Sequence, residues 1–225
     1  MNLNFEPRIA LVHAVLPAMA PIEAAFRRCW PQARTFNILD DALPADLERD
    51  GHITKAMAQR IQRLAEHGVA AGASGVLFTC SAFGEAIAQA ARHIAQPVLR
   101  PDVAMFEAAL HAGRRIGLLA TFEPAIASTR RDFLAQAAGH GLSPELEVIC
   151  VPEAIAAARA GDVGTHDRLV MEAAPRLAHC DAVMLAHFST STALQGVQAV
   201  LKCPVFSAPE AAVEAMRRRL ESARD

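Results

Sequence analysis

The sequence predicts an α/β fold of two pseudo-symmetric lobes, each a short parallel β-sheet flanked by helices, with an active site in the cleft between them. Three observations predict it. Short, continuously apolar runs alternate with longer amphipathic stretches, as in parallel strands covered by helices on both faces. The order of elements restarts near mid-chain. The restart also holds one offset: Arg115-Ile116 lies 107 residues after Arg8-Ile9 (115 − 8), and Pro204-Val205 lies 107 after Pro97-Val98 (204 − 97).

The elements follow in order. Arg8–Val12 reads as a buried strand and Pro21–Cys29 as its helix; Arg34–Leu39 is a second strand. Thr54–His67 has helical spacing at Met57, Ile61 and Leu64, with Thr54 placed to cap it. Val76–Thr79 is a strand, Gly84–His93 a helix, Pro97–Arg100 a short strand, and a helix runs from there through Ala112. The second half repeats this: strand Ile116–Ala120, helix Ala125–Ala138, strand Glu145–Cys150, helix Thr165–His179 interrupted at Pro175. Strand Val183–Ala186, helix Thr192–Val200, strand Val205-Phe206 and helix Pro209–Glu221 close the chain. Asp40–Asp50 and Pro152–Thr165 read as loops where the register of the repeat slips. Leu118 repeats Leu11, Phe133 repeats Phe26 and Glu214 repeats Glu107, so the chain reads as a duplicated unit. Lobe one is expected to comprise residues 1–100 with 208–225, and lobe two residues 101–207.

Composition excludes several classes of function. With 52% hydrophobic and 20% charged residues, the chain is not disordered. Lys+Arg 22 against Asp+Glu 24 offers no electrostatic basis for nucleic acid or an anionic membrane. No apolar run reaches membrane length. Five cysteines without regular spacing indicate thiols in a reducing compartment, hence a cytoplasmic protein. Ile9–Leu16 followed by Ala18-Met19-Ala20 imitates a secretion signal. Its repetition in mid-chain reads it as part of the fold.

Ligands of parallel sheets bind beyond the carboxyl ends of the strands. In lobe one those positions are His13, Asp40-Asp41 and Cys80-Ser81-Ala82; in lobe two they are Thr121-Phe122, Pro152-Glu153 and His187-Phe188-Ser189-Thr190. Cys80 and His187 are separated by the repeat offset of 107 (187 − 80), and a pseudo-twofold axis would set them across the cleft from each other. Cys80 stands between a strand and a helix start, where amides favour a thiolate. Ser81, Ser189 and Thr190 are hydroxyls suited to holding a carboxylate or enolate, or alternatively to capping helices. His13 and Thr121 are near-equivalent by offset and read either as ligand contacts or as ordinary loop residues. Cys29, Cys150, Cys180 and Cys203 read as packing residues.

The segment Val76-Leu77-Phe78-Thr79-Cys80-Ser81-Ala82-Phe83-Gly84 resembles the first cysteine motif of the aspartate/glutamate racemase superfamily. Pro204–Ala212 is similar to its closing strand and helix. That superfamily includes glutamate, aspartate and hydantoin racemases, maleate isomerase and arylmalonate decarboxylase. The resemblance implies cofactor-independent proton transfer beside a carboxylate, between two cysteines that flank the reacting carbon. Cys80 matches the first cysteine; the second falls at His187, a departure that replaces a thiol with an imidazole, itself a competent acid/base.

The expected activity is therefore a PLP-independent racemase or isomerase acting on a small carboxylate, with Cys80 and His187 catalytic. His13, Ser81, Ala82, Thr121, Phe188, Ser189 and Thr190 are the expected substrate contacts. A decarboxylase or cis–trans isomerase using a single thiol is one alternative, and a non-catalytic carboxylate binder another. No cofactor is expected. The P-loop and CxxC patterns are absent, and Gly68, Gly72 and Gly75 precede a strand rather than follow one. No lysine occupies a post-strand position for a Schiff base. The nine histidines show no metal-ligand spacing, so no metal is expected either. The resemblance also implies a homodimer.

Overall fold

A computed structural model of the protein describes residues 6–223. The lobe-one limits placed at residues 1 and 225 lie outside the described residues. The chain divides into two compact units: one runs to Pro101 and resumes at Ala212, and the other spans Asp102–Ala211.

The first unit is built on β1 (Arg8–His13), β2 (Arg34–Leu39), β3 (Gly75–Phe78) and β4 (Val98–Leu99). They form an all-parallel sheet in the order β2-β1-β3-β4. Helices α1 (Met19–Cys29), α2 (Leu43–Asp50), α3 (Lys55–Ala70) and α4 (Gly84–Ala91) connect the strands. Ile9 to Val12 and all of β3 are buried, which explains their continuous apolar sequence. One core joins Val12, Val76 and Phe78 of the sheet to Leu43, Ile61 and Ile87 of the helices. The C-terminal part of α10 (Ala208–Ser222) belongs to this unit. Its Met216 lies so close to β3 that a Cβ on Gly75 would sit 2.6 Å from the methionine sulfur, so a side chain there would push the Met216 side chain aside.

The second unit repeats the plan. Strands β5 (Arg115–Ala120), β6 (Glu145–Cys150), β7 (Ala182–Leu185) and β8 (Val205–Ser207) form a parallel sheet in the order β6-β5-β7-β8. Helix α5 (Val103–Ala112) packs against β7, β8 and α6 (Ile126–Gly139). Helices α7 (Pro152–Arg159), α8 (Val163–Ala173) and α9 (Leu194–Val200) complete the layers. Leu119, Ile149, Val183 and Leu185 of the sheet share a core with Val170, Leu177 and Val197. Strand starts repeat at the offset read from the sequence: Arg8 and Arg115, and Gly75 and Ala182, are each 107 residues apart (115 − 8; 182 − 75).

Two segments read as loops contain helices. In Asp40–Asp50, Leu43 and Leu47 pack on the lobe-one core one turn apart, Pro44 occupies the first turn, and Gly51 (φ 68°) closes the helix in the left-handed conformation. In Pro152–Thr165, α7 opens on Pro152 and runs through alanines, the residues with the highest helix propensity. Those alanines had carried no weight in the repeat comparison. The helix expected at Thr165–His179 is α8 followed by a 3-10 turn at Ala174–Leu177, broken where Pro175 withholds a backbone donor. The helix expected from Thr192 begins instead at Leu194, after a 3-10 stretch at Phe188–Ala193.

Candidate active site

At the carboxyl ends of the lobe-one strands, Cys80 is half-buried and occupies the N-cap position of a 3-10 turn (Ser81–Phe83) that leads into α4. Ser81 and Ala82 therefore lie inside the turn, where the first amides have no helical partner. The cysteines are thiols, none joined in a disulfide. Behind Cys80, the preceding residue Thr79 belongs to a polar chain that is buried at Thr79 and His13 and reaches the surface at Asn37. Thr79 Oγ1 lies 2.8 Å from His13 Nδ1, and His13 Nε2 lies 2.9 Å from Asn37 Oδ1. Asn37 Nδ2 donates to Glu23 Oε1 at 2.7 Å. The acceptor-only carboxylate fixes the amide, so Asn37 Oδ1 must accept from His13 Nε2–H. A neutral His13 then presents an unprotonated Nδ1 to the Thr79 hydroxyl, whose other acceptor is the Val12 carbonyl at 3.4 Å. Burial pushes the His13 pKa down, opposed by Asn37 and Glu23, which agrees with a neutral ring. His13 is thus a satisfied, buried side chain that ties β1, β2 and the end of β3 together.

One lobe-one residue was missed in the sequence. Arg100 follows β4, and a Cβ on Gly84 would lie 2.9 Å from its guanidinium. This cation therefore lies over the start of α4, one turn from Cys80. Its signal was present in the repeat, because Arg100 is the counterpart of Ser207 (207 − 100 = 107). The Asp40 carboxylate, also at a strand end, is held by Arg60, which bridges to Asp46 as well. His52 contacts the Asp50 carbonyl at 2.8 Å, and Thr54 caps α3 through Met57 N at 3.2 Å.

The lobe-two strand ends are built differently. His187 is a non-glycine residue with positive φ (φ 67°, ψ 153°), a conformation essentially reserved for glycine. It is fixed from both sides, by Ala186 N donating to Leu119 O at 2.9 Å and Thr190 N to His187 O at 3.3 Å. Burial lowers its pKa, so the imidazole is neutral at neutral pH. Its Nε2 is buried and finds no hydrogen-bond partner among the described residues, and the same holds for Thr121 Oγ1, Thr190 Oγ1 and Ser207 Oγ. Strand register explains why these groups share one end of the sheet. Leu119 pairs with Leu185, and Leu185 with Ser207, so the residues that follow β5 and β7 emerge beside the end of β8.

The alternative capping role for the site hydroxyls is not what the structure shows. The N-cap positions are occupied by Cys80 and His187, neither with a side-chain cap bond. The neighbouring hydroxyls do not cap either: Ser191 Oγ donates to Phe188 O at 2.7 Å and Thr192 Oγ1 to Asp167 at 2.6 Å. Phe188 is buried beside them, while Ser189 is half-buried.

No protein-family profile and no curated protein sequence matches the chain. Solved structures do. An allantoin racemase from Klebsiella pneumoniae superposes with TM-score 0.73 at 21% identity, over 97% of this chain and 89% of that one. An aspartate racemase homologue from Pyrococcus horikoshii gives TM-score 0.71 at 14% identity, over 95% and 99%. A cysteine-substituted, sulfate-associated arylmalonate decarboxylase gives 0.65 at 20%, over 96% and 94%. The chain shares the fold of these racemase and decarboxylase structures. Among the described residues, no helix is long and apolar enough to cross a membrane.

Proposed function

We propose that this protein is a cofactor-independent racemase- or isomerase-type enzyme that moves a proton at the carbon beside a carboxylate of a small substrate. The observation that carries the reading is the equivalence of Cys80 and His187, which follow β3 and β7 at the repeat offset in a fold shared with racemases. In the proposed reaction the Cys80 and His187 side chains address opposite faces of the substrate carbon.

One direction of the reaction follows from the neutral imidazole. His187 takes the substrate proton and becomes imidazolium, while the Cys80 thiol gives its proton to the other face and becomes thiolate. The reverse direction starts from that ion pair, and exchange with water resets either state. The developing enolate is held by the turn amides at Ser81 and Ala82, by the hydroxyls of Thr121, Ser189 and Thr190, and by Arg100, whose charge offsets the carboxylate. His13 acts from behind, through Thr79.

The test is exchange in D₂O. Amino acids, hydantoins and small dicarboxylates are incubated with the protein, and the α-hydrogen is followed by NMR. Exchange lost in both Cys80→Ser and His187→Gln supports the reading. Release of CO₂ with protonation of one face would assign a single-thiol decarboxylase instead. Conversion of a double bond without α-exchange would assign the cis–trans isomerase. Saturable binding without turnover, indifferent to Cys80→Ser, would make the protein a carboxylate binder and overturn the proposal.

A further inference from the structure

At the opposite end of the lobe-two sheet from His187 lies a second chemical cluster. Glu147 projects from β6, and His179 and Cys180 immediately precede β7. One donor atom from each, the carboxylate oxygen, the imidazole nitrogen and the thiol sulfur, lies within 4.8 Å of the others. His179 Nε2 already meets Glu147 Oε2 at 2.8 Å. Cys180 is buried, and the two other side chains are about half exposed, at the mouth of a cleft of about 360 Å³.

We infer that Glu147, His179 and Cys180 form a binding site for a thiophilic divalent cation of the Zn²⁺ class, separate from the proposed catalytic residues. The donor set is the argument. One sulfur, one nitrogen and one carboxylate oxygen match the ligands of zinc, and sulfur selects against Mg²⁺ and Ca²⁺. With metal–ligand bonds of roughly 2.0–2.3 Å, tetrahedral donors stand roughly 3.3–3.8 Å apart. The exposed Glu147 and His179 donors, 2.8 Å apart, therefore open by about half an ångström from each other while closing by up to about an ångström onto the buried sulfur. Two cations line the cleft, and both are engaged. Arg115 is paired with Asp181 at 3.1 Å, and Arg130 donates to the Leu146 carbonyl at 3.2 Å. A fourth position falls to water. On binding, the Cys180 S–H bond breaks and its proton goes to solvent, the His179 ring shifts its proton from Nε2 to Nδ1 as the hydrogen bond to Glu147 opens, and the thiolate, Nε2 and the Glu147 carboxylate oxygen each donate a pair to the metal. Sequence spacing hides this site, because Glu147 is 32 residues from His179.

Cobalt(II) titration of the chelator-treated full chain tests the inference. The expected result is one equivalent bound, with intense tetrahedral d–d absorption and a thiolate-to-cobalt charge-transfer band that Zn²⁺ abolishes. The band persists in Cys80→Ser and disappears in Cys180→Ser. Should Cys180→Ser fold poorly, the surface changes Glu147→Gln and His179→Gln read the same site, each weakening affinity by about tenfold or more, at least as much as loss of an outer-shell partner. No charge-transfer band at saturating cobalt, or a band indifferent to all three changes, overturns the inference. Because the readout is spectroscopic, it stands or falls independently of the proposed racemase activity.

Discussion

The two lobes share strand order, offset and post-strand turns, yet they treat their buried polar groups in opposite ways. Lobe one spends its polar atoms internally: Glu23, Asn37, His13 and Thr79 form a closed chain behind Cys80. Lobe two leaves His187 Nε2 and the hydroxyls of Thr121, Thr190 and Ser207 buried without partners among the described residues. A buried polar atom without a partner is costly, and a fold retains several at one strand end only where something else repays them. Under the proposed function, the contrast fits a self-satisfied mount in the cysteine half and polar groups open to water or a ligand in the histidine half.

The largest expected effect is chemical. Cys80→Ser removes one acid/base and slows α-proton exchange by about 10²–10⁴-fold. His187→Gln does the same by removing the other. Neither is expected to shift the thermal midpoint as a core deletion would, because Cys80 and His187 are both only half-buried. Comparable losses from both would establish that the asymmetric pair works as a pair. Retention of exchange in His187→Gln would reduce lobe two to a binding surface.

Next in size is stability, and here the lobes should respond with opposite signs. His13→Ala leaves the buried Thr79 hydroxyl with a broken bond, at a cost of about 1–3 kcal/mol in urea unfolding. Thr121→Val and Thr190→Val replace unpartnered hydroxyls with methyl groups of similar shape. They are expected to be neutral or stabilising by up to about 1 kcal/mol, while weakening substrate binding. Destabilisation by the lobe-two changes would show that those hydroxyls are already satisfied in the free protein and would break the contrast.

Most of this architecture was legible in the sequence, for physical reasons that also mark its limits. Continuous apolar runs such as Val76–Phe78 can only be strands buried on both faces, and repeated prolines and aromatics expose a duplication even when alanine matches carry no information. Helix α7 was hidden by those same alanines, whose strong helix propensity leaves no amphipathic signature. Cys80 and His187 were legible because position after a strand is a property of sequence order. The Glu23–Asn37–His13–Thr79 chain was not, because it depends on which strands are neighbours and which nitrogen faces which oxygen. Arg100 was available through its offset to Ser207 but looked like an ordinary cation after a short strand.

A smaller effect concerns acidity. Burial sets both His13 and His187 below the ordinary value of 6.5, so the unfolded chain takes up protons first on acidification. Their contribution to stability is complete above pH 6.5 and is lost as pH falls from there through the folded values. Each contributes a slope of at most about 1.4 kcal/mol per pH unit. His187→Gln should flatten the acid limb of a urea-midpoint profile while leaving the His13 share. An unchanged limb would show that burial does not lower the His187 pKa in the folded protein, and would remove that support for a neutral imidazole as the proton acceptor.

The smallest expected effect isolates the strain at His187. With φ 67° and ψ 153°, any residue with a Cβ is held there against its preference. His187→Ala and His187→Gly both remove the imidazole, so the difference between them reads the backbone alone. Glycine loses more entropy on folding, by roughly 0.5–1 kcal/mol, but escapes a penalty of about 1–3 kcal/mol. The glycine variant should therefore be the more stable of the two by about 1 kcal/mol, with both equally inactive in exchange. Equal stability, or a more stable alanine variant, would mean that this turn relaxes in solution. The rigid mount would then be confined to the cysteine lobe, and His187 would have to be positioned by the substrate itself.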